Sequence, residues 1–348
     1  MKTLTTPRFT PSLARLLTFT LTFTLTFPLL ALAGTDPFAI NQRLGRGVNF
    51  GNALDAPTEG EWGVVLQEEY FAAAKVAGFN SIRLPVRWSA HALKEAPYTI
   101  DPAWFARVDW AVDQALKRGL PVVLDLHHYR ECYADPRPHK QRVLGLWKQI
   151  AEHYKDYPDQ LVLELFNEPD EALTPEIWNE WLVELLAIVR ATNPDRTLMI
   201  GPGEDNIAAY LKELRLPEND RNIIVTIHCY HPLEFTHQGA EWMADSKKWL
   251  GNTWTGTPEQ LAKLNAEFDV AAEWGKKHHR PLNLGEFGAI KLADMPSRAM
   301  WTKALADAAV ARGMSFHYWE FCADFFGLYD PKAKTFRPPL LDAVLPKK

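Results

Sequence analysis

The chain has 348 residues, 47% of them hydrophobic and 23% charged, with a formal net charge of −5. That balance excludes a disordered chain, a fibrous repeat and a multi-span membrane protein, and the negative charge argues against a phosphate-reading nucleic-acid surface. Aromatics reach 12%, with 13 Trp, enough to fill a core and leave ring faces for stacking on sugars.

The first element in chain order is a leader. Lys2, Arg8 and Arg15 precede an apolar run from Leu16 to Leu32, and no acidic residue occurs before Asp36. Ala31-Leu32-Ala33 then supplies a small-x-small cleavage pattern. This is the layout of a secretory signal peptide over residues 1–33, cut near Ala33/Gly34. A membrane anchor is the competing reading, but the run is short and broken by several threonines and Pro28. The expectation is an exported chain, secreted or periplasmic, that leaves the membrane after cleavage.

From residue 34 onward strands and helices alternate without a linker. Strands are expected at 47–52, 81–86, 121–128, 161–167, 196–201, 222–230, 281–287 and 315–321. Amphipathic helices are expected at 64–77, 102–118, 175–191, 258–278 and 298–312. Asp101-Pro102, Thr174-Pro175 and Thr257-Pro258 are helix starts, and Gly78, Gly119 and Gly313 stand where left-handed caps end helices. Eight strands, each followed by helical or connecting sequence, predict an α/β fold: one (β/α)8 TIM barrel domain over 34–348. A doubly wound open sheet is the alternative. Cys132, Cys229 and Cys322 make no C-x-x-C pair, so they are expected as buried free thiols rather than a disulfide or zinc framework, with a single accidental disulfide as the alternative.

In a closed barrel the chemistry gathers at the C-terminal ends of the strands. Those ends carry Asn52, Arg83, His127, His128, Asn167, Glu168, His228, Tyr230, His231, Glu286, Trp319 and Glu320. Any one alone reads as a satisfied structural group; so many on one rim read as a site. Glu168 precedes Pro169, which ends the strand, and Glu286 sits in Gly-Glu-Phe-Gly, where small neighbours permit close approach. Two Glu from roughly opposite walls match glycoside hydrolysis by a carboxylate pair. Arg83 and Tyr230 would keep Glu286 ionised, leaving Glu168 as proton donor and Asn167 placed to bond a sugar hydroxyl.

Arg-Leu-Pro-Val at 83–86, Asp-Leu-His-His at 125–128, Phe-Asn-Glu-Pro at 166–169, His-Cys-Tyr at 228–230, Gly-Glu-Phe-Gly at 285–288 and Tyr-Trp-Glu-Phe at 318–321 together resemble glycoside hydrolase family 5. The resemblance implies a retaining mechanism, Glu168 as acid/base, Glu286 as nucleophile, and a sugar site lined by Arg83, His127, Asn167, His228, Tyr230 and Trp319. His128 is left open between a second contact and a core residue. Gly-Asn-Ala-Leu-Asp-Ala at 51–56, with Glu59 and Trp62, and the stretch 234–242 resemble loops of bacterial endoglucanases in that family. They imply cleft contacts from Asn52, Trp62, Phe235, His237 and Trp242, with loop packing as the other reading of Trp62 and Trp242.

The activity implied is a secreted endo-β-1,4-glucanase acting on cellulose-like or mixed-linkage glucans, as a monomer, without cofactor or metal. β-Mannanase or xyloglucanase activity is the near alternative. A metal-dependent hydrolase using His127, His128, His228 and both Glu is a remote one, because Arg83 would repel a cation. A sugar-binding protein without catalysis is disfavoured, since binding alone does not need the carboxylate pair.

Overall fold

The computed structural model describes residues 1–5 and 36–345; the expected leader lies outside them apart from its first five residues. Eight parallel strands form: β1 (Arg46–Asn49), β2 (Ser81–Leu84), β3 (Val122–Asp125), β4 (Leu161–Glu164), β5 (Leu198–Ile200), β6 (Ile223–His228), β7 (Leu282–Glu286) and β8 (Ser315–Tyr318). They pair in chain order and β8 closes on β1. Closure removes the open-sheet alternative.

Alternation along each strand divides the core. Val122, Leu124, Leu161 and Leu163 face the large apolar layer beneath the helices. Val123, Val162, Met199 and Ile224 point the other way, into a small cluster with Ile40 and Leu44. Those last two come from a helix at Pro37–Leu44 that the periodicity did not reveal. Its Asn41 donates to the Leu282 carbonyl (3.0 Å) and accepts from Ser315 Oγ (2.6 Å), at the first residues of β7 and β8. The helix therefore plugs the N-terminal mouth of the barrel. Two residues further along, on the same inward side, lie Asp125 and Glu164.

The five expected helices form at Glu68–Ala77, Pro102–Leu116, Pro175–Thr192, Pro258–His278 and Met295–Ala311. Asp101 caps its helix by accepting from the Ala103 N–H at 2.8 Å, and Thr257 with Gln260 makes a reciprocal capping box. Gly78, Gly119 and Gly313 all take positive φ. A sixth long helix, Pro136–Tyr154, buries Val143, Leu146, Trp147 and Ile150. Its opening, Pro-Arg-Pro-His-Lys-Gln-Arg, reads as loop because two prolines crowd a polar first turn. After β5 only a short 3-10 segment, Ala208–Glu213, stands where the repeat would place a helix.

The ladders stop two or three residues before most of the expected strand ends. Single main-chain bonds continue past them: His127 N to Val86 O and Asn167 N to Leu126 O (both 2.9 Å), Cys229 N to Glu286 O (3.0 Å) and Trp319 N to Phe287 O (2.8 Å). The chemistry-bearing residues thus stand on a rim freed from the sheet's pleat yet pinned to it. All three cysteines are buried and free. Among the described residues no helix is long and apolar enough to cross a membrane.

Candidate active site

Arg83 is the hub of the rim. Fully buried on β2, it puts Nη1 2.6 Å from Glu286 Oε1 and 2.9 Å from Asn49 Oδ1. Its Nε and Nη2 grip Glu164 at 2.7 and 2.9 Å, and Nη2 also reaches Asn167 Oδ1 at 2.7 Å and Asp125 at 2.7 Å. One guanidinium faces three buried carboxyls, which is tolerable only if protons remain on some of them. Burial accordingly pushes Asp125 up to about 6 and raises Glu164, with Arg83 pulling both back. Asp125 accepts from His127 Nδ1 at 2.8 Å and from the Val86 N–H at 3.1 Å.

The two catalytic candidates meet across the barrel. Oxygens of Glu168 and Glu286 lie within 4.8 Å of each other and of a His228 ring nitrogen. Burial pushes both carboxyls up to about 7, and each opposes the other's ionisation. Their hydrogen bonds divide unevenly. Glu286 takes Arg83 on one oxygen and the Tyr230 hydroxyl on the other, at 2.8 Å. Glu168 has His228 Nδ1 at 2.6 Å and only a long 3.4 Å contact from Asn167 Nδ2. Its side chain is 26% exposed against 5% for Glu286. Glu286 is therefore the carboxyl held by charge-favouring donors, and Glu168 is the more exposed one with fewer donors.

Local backbone makes this possible. Glu168 is left-handed (φ 45°) and precedes Pro169, so the chain turns off the strand at the acid. A Cβ at Gly285 would lie 2.8 Å from His228 Nε2, and one at Gly51 would lie 2.6 Å from the Trp319 indole. Both glycines are vacancies that these rings fill. Trp319 is partly exposed and lies parallel to the His127 ring at 5.6 Å, and His127 Nε2 is 3.9 Å from Glu286.

The remaining expected contacts separate. Trp62 and His128 are partly exposed and meet edge to face at 5.4 Å, so His128 is a rim residue rather than core. The Trp62 loop is tied down by Glu59, which takes Arg107 at 2.7 and 2.8 Å. Asn52 (φ 61°) donates its N–H to buried Asp55. On the β6 side, His237 lies 5.0 Å from Tyr230 and 6.2 Å from Trp242, which is 52% exposed. Phe235 is a correction. It is 2% exposed and packs toward Trp301 in the core, so it has no face for a sugar.

Sequence reading missed Glu164, Asn49 and the role of Asp125. An acidic residue two positions before the rim of an apolar strand, as in Leu-Glu-Leu and Leu-Asp-Leu, was the available signal. Among the described residues two groups have ligand atoms close enough for a cation: Asp55, His127 and His128, and Glu168, His228 and Glu286. In the second, Arg83 and Tyr230 already occupy both Glu286 oxygens.

A β/α barrel carrying a carboxylate pair this close on its C-terminal rim, one carboxyl gripped by charge-favouring donors and the other left more open, defines a glycoside hydrolase. The chain belongs to glycoside hydrolase family 5: the sequence model "Cellulase (glycosyl hydrolase family 5)" matches residues 45–324. It is similar to Endoglucanase H of Acetivibrio thermocellus, 35% identical over 316 residues, which cover 89% of this chain and 33% of the relative. It is also similar to Endoglucanase A of Ruminococcus albus, 33% identical over 86% of this chain and 89% of the relative. The structure of Thermotoga maritima Cel5A with cellobiose superposes with a TM-score of 0.87 at 49% identity, covering 89% of this chain and all of that one. The chain spans about a third of the length of Endoglucanase H and of the Acetivibrio cellulase/esterase CelE.

Proposed function

We propose that this chain is a retaining endo-β-1,4-glucanase that cleaves cellulose-like or mixed-linkage β-glucans. The observation that carries the reading is the separation of the pair. Oxygens within 4.8 Å match the roughly 5 Å of retaining enzymes and leave no room for the water that inversion needs between carboxyls roughly 6.5–9.5 Å apart. Glu286, held ionised by Arg83 and Tyr230, attacks the anomeric carbon. Glu168 gives its proton to the departing glycosidic oxygen. Water then enters on the exposed Glu168 side, gives a proton back to Glu168, and releases the sugar from Glu286. Asn167 is oriented by Arg83 so that its Nδ2 is available beside the acid for a substrate hydroxyl. The relatives called endoglucanases support the glucan choice.

A second reading, β-mannanase activity in the same site, is favoured by one observation. Thermotoga maritima Cel5A, 49% identical, has been solved with mannotriose as well. Export through residues 1–33, and a monomeric product, belong to the same proposal; N-terminal sequencing and sizing of the mature protein check them.

The test is reducing-sugar release in excess chelator from carboxymethyl cellulose, mixed-linkage β-glucan, xyloglucan, glucomannan and galactomannan. Release from the first two supports the glucanase. Release confined to mannans or xyloglucan replaces the substrate and keeps the mechanism. Silence relieved only by added metal overturns the carboxylate-pair reading.

A further inference from the structure

His228 meets Glu168 through Nδ1 at 2.6 Å, and its Nε2 meets Asn206 Nδ2 at 3.4 Å. Burial pushes His228 down to about 4, so the ring is neutral and carries one proton for two nitrogens. Which nitrogen holds it decides what Glu168 feels. A proton on Nδ1 stabilises the Glu168 carboxylate; a lone pair there stabilises the carboxylic acid.

Asn206 is fully buried on the loop after β5, with left-handed φ 58°. Its N–Cα–C backbone holds the same histidine, because the His228 N–H donates to the Asn206 carbonyl at 3.0 Å. Its Oδ1 has no partner, so a half-turn of the amide exchanges Oδ1 and Nδ2 without breaking any bond except the one to His228. Two glycines make room for this line of contacts. A Cβ at Gly201 would lie 2.0 Å from Asn206 Oδ1, and one at Gly285 would lie 2.8 Å from His228 Nε2.

The groups around Glu168 leave its proton to be placed by this line. Carboxyls at Glu164, Asp170, Asp205 and Glu286 oppose its ionisation and Arg83 favours it. The phenols of Tyr133 and Tyr230 face it as neutral groups, held protonated by burial. With the proton on Glu168, the short contact requires Nδ1 to accept. Nε2 then carries the ring proton and needs an acceptor, and the half-turn of the amide puts Asn206 Oδ1 in the place that Nδ2 holds 3.4 Å away.

We propose that Asn206 is a positioning residue for the acid/base: its Oδ1 accepts the His228 Nε2 proton and so turns a lone pair, not a proton, toward Glu168. The inference rests on the assignment of Glu168 as acid/base. It serves both halves of the reaction. The resting acid donates to Nδ1, and once its proton has gone to the glycosidic oxygen the carboxylate faces a lone pair, which strengthens it as the base for water.

The test compares Asn206→Ala and Asn206→Asp on aryl cellobiosides of graded leaving-group ability. Asn206→Ala frees the ring to donate from Nδ1. It moves the alkaline limb of kcat/KM to lower pH and costs roughly 10-fold on poor leaving groups, with little loss on dinitrophenyl substrates. Asn206→Asp keeps an acceptor and restores both. An unmoved limb in the alanine variant, or an aspartate variant that behaves like it, overturns the proposal. Nitrogen-15 spectra of histidine-labelled wild type give a readout without any variant: the proton belongs on Nε2 of His228, and its appearance on Nδ1 overturns the proposal. Failure of the underlying assignment is separate, since it shows as a Glu168→Gln enzyme with no leaving-group dependence.

Discussion

The two walls of the active site hold the same side chain in different surroundings. On the β7 wall, Glu286 receives a guanidinium and a phenol, both charge-favouring donors, and is nearly sealed from solvent. On the β4 wall, Glu168 has a neutral imidazole at hydrogen-bond distance and one long amide contact, and a quarter of it is open. Burial raises both by similar amounts, so burial does not assign the roles. The donors do. The lesson is that in a carboxylate pair the count and charge of hydrogen-bond donors decide which oxygen attacks and which proton leaves.

The sharpest way to break the contrast is to remove the attacking oxygen. Glu286→Gln should lower turnover of every substrate by roughly 10⁴-fold or more, activated aryl glycosides included. Retained activity on any of them in a rate assay removes Glu286 from the nucleophile's place.

Glu168→Gln should discriminate. Poor leaving groups should lose roughly 10²- to 10⁴-fold, whereas a dinitrophenyl glycoside should still glycosylate and show a burst, then stall for want of a base. Equal loss on both classes in stopped-flow measurements contradicts its role as acid.

Tyr230→Phe weakens the contrast without abolishing it. Loss of one hydrogen bond to a charged group should cost roughly 10- to 100-fold in kcat. Because that bond holds Glu286 down, its loss raises the nucleophile and moves the acid limb of the bell-shaped pH profile to higher pH. An acid limb that stays in place assigns it to another group.

The smallest effect concerns stability. Glu320 and Asp55, buried just outside the pair, are pushed up to about 8 and about 7 by burial. Each keeps its proton in the folded state while the unfolded chain ionises near 4. The native state therefore binds more protons through that window, and stability is lost as pH rises from about 4 through 7 to 8. Glu320→Gln removes one such group and should flatten the fall in Tm between pH 5 and pH 8. An unchanged slope in calorimetry assigns the pH dependence elsewhere.

The legibility of the two walls in sequence differs for the same physical reason. Glu168, Glu286, Arg83, Tyr230 and Trp319 interrupt apolar strands where they reach the rim, so each stands out by contrast with its neighbours. Glu164 and Asp125 are the last residues of β4 and β3 and are flanked by leucines on both sides, and only the inward phase of the alternation marks them as partners of Arg83. Asn206 falls in a polar Gly-Glu-Asp-Asn turn, where nothing local distinguishes it; the contact with His228 exists only after β5 and β6 pair. Strand ends ran long because the rim residues keep β-like composition after the ladder has stopped. Phe235 departs from the expected cleft contact because a loop aromatic can turn inward, and here Trp301 offers it an apolar seat. The helix at 136–154 hid behind two prolines and a basic first turn.

The central claim is that Glu286 bonds to the sugar while Glu168 handles the proton. Incubation with a 2-deoxy-2-fluoro cellobioside bearing a dinitrophenyl leaving group, followed by peptide mass spectrometry, tests it directly. One equivalent of label is expected, on Glu286. Label on Glu168, or full inactivation-free turnover with no labelled peptide, would contradict it.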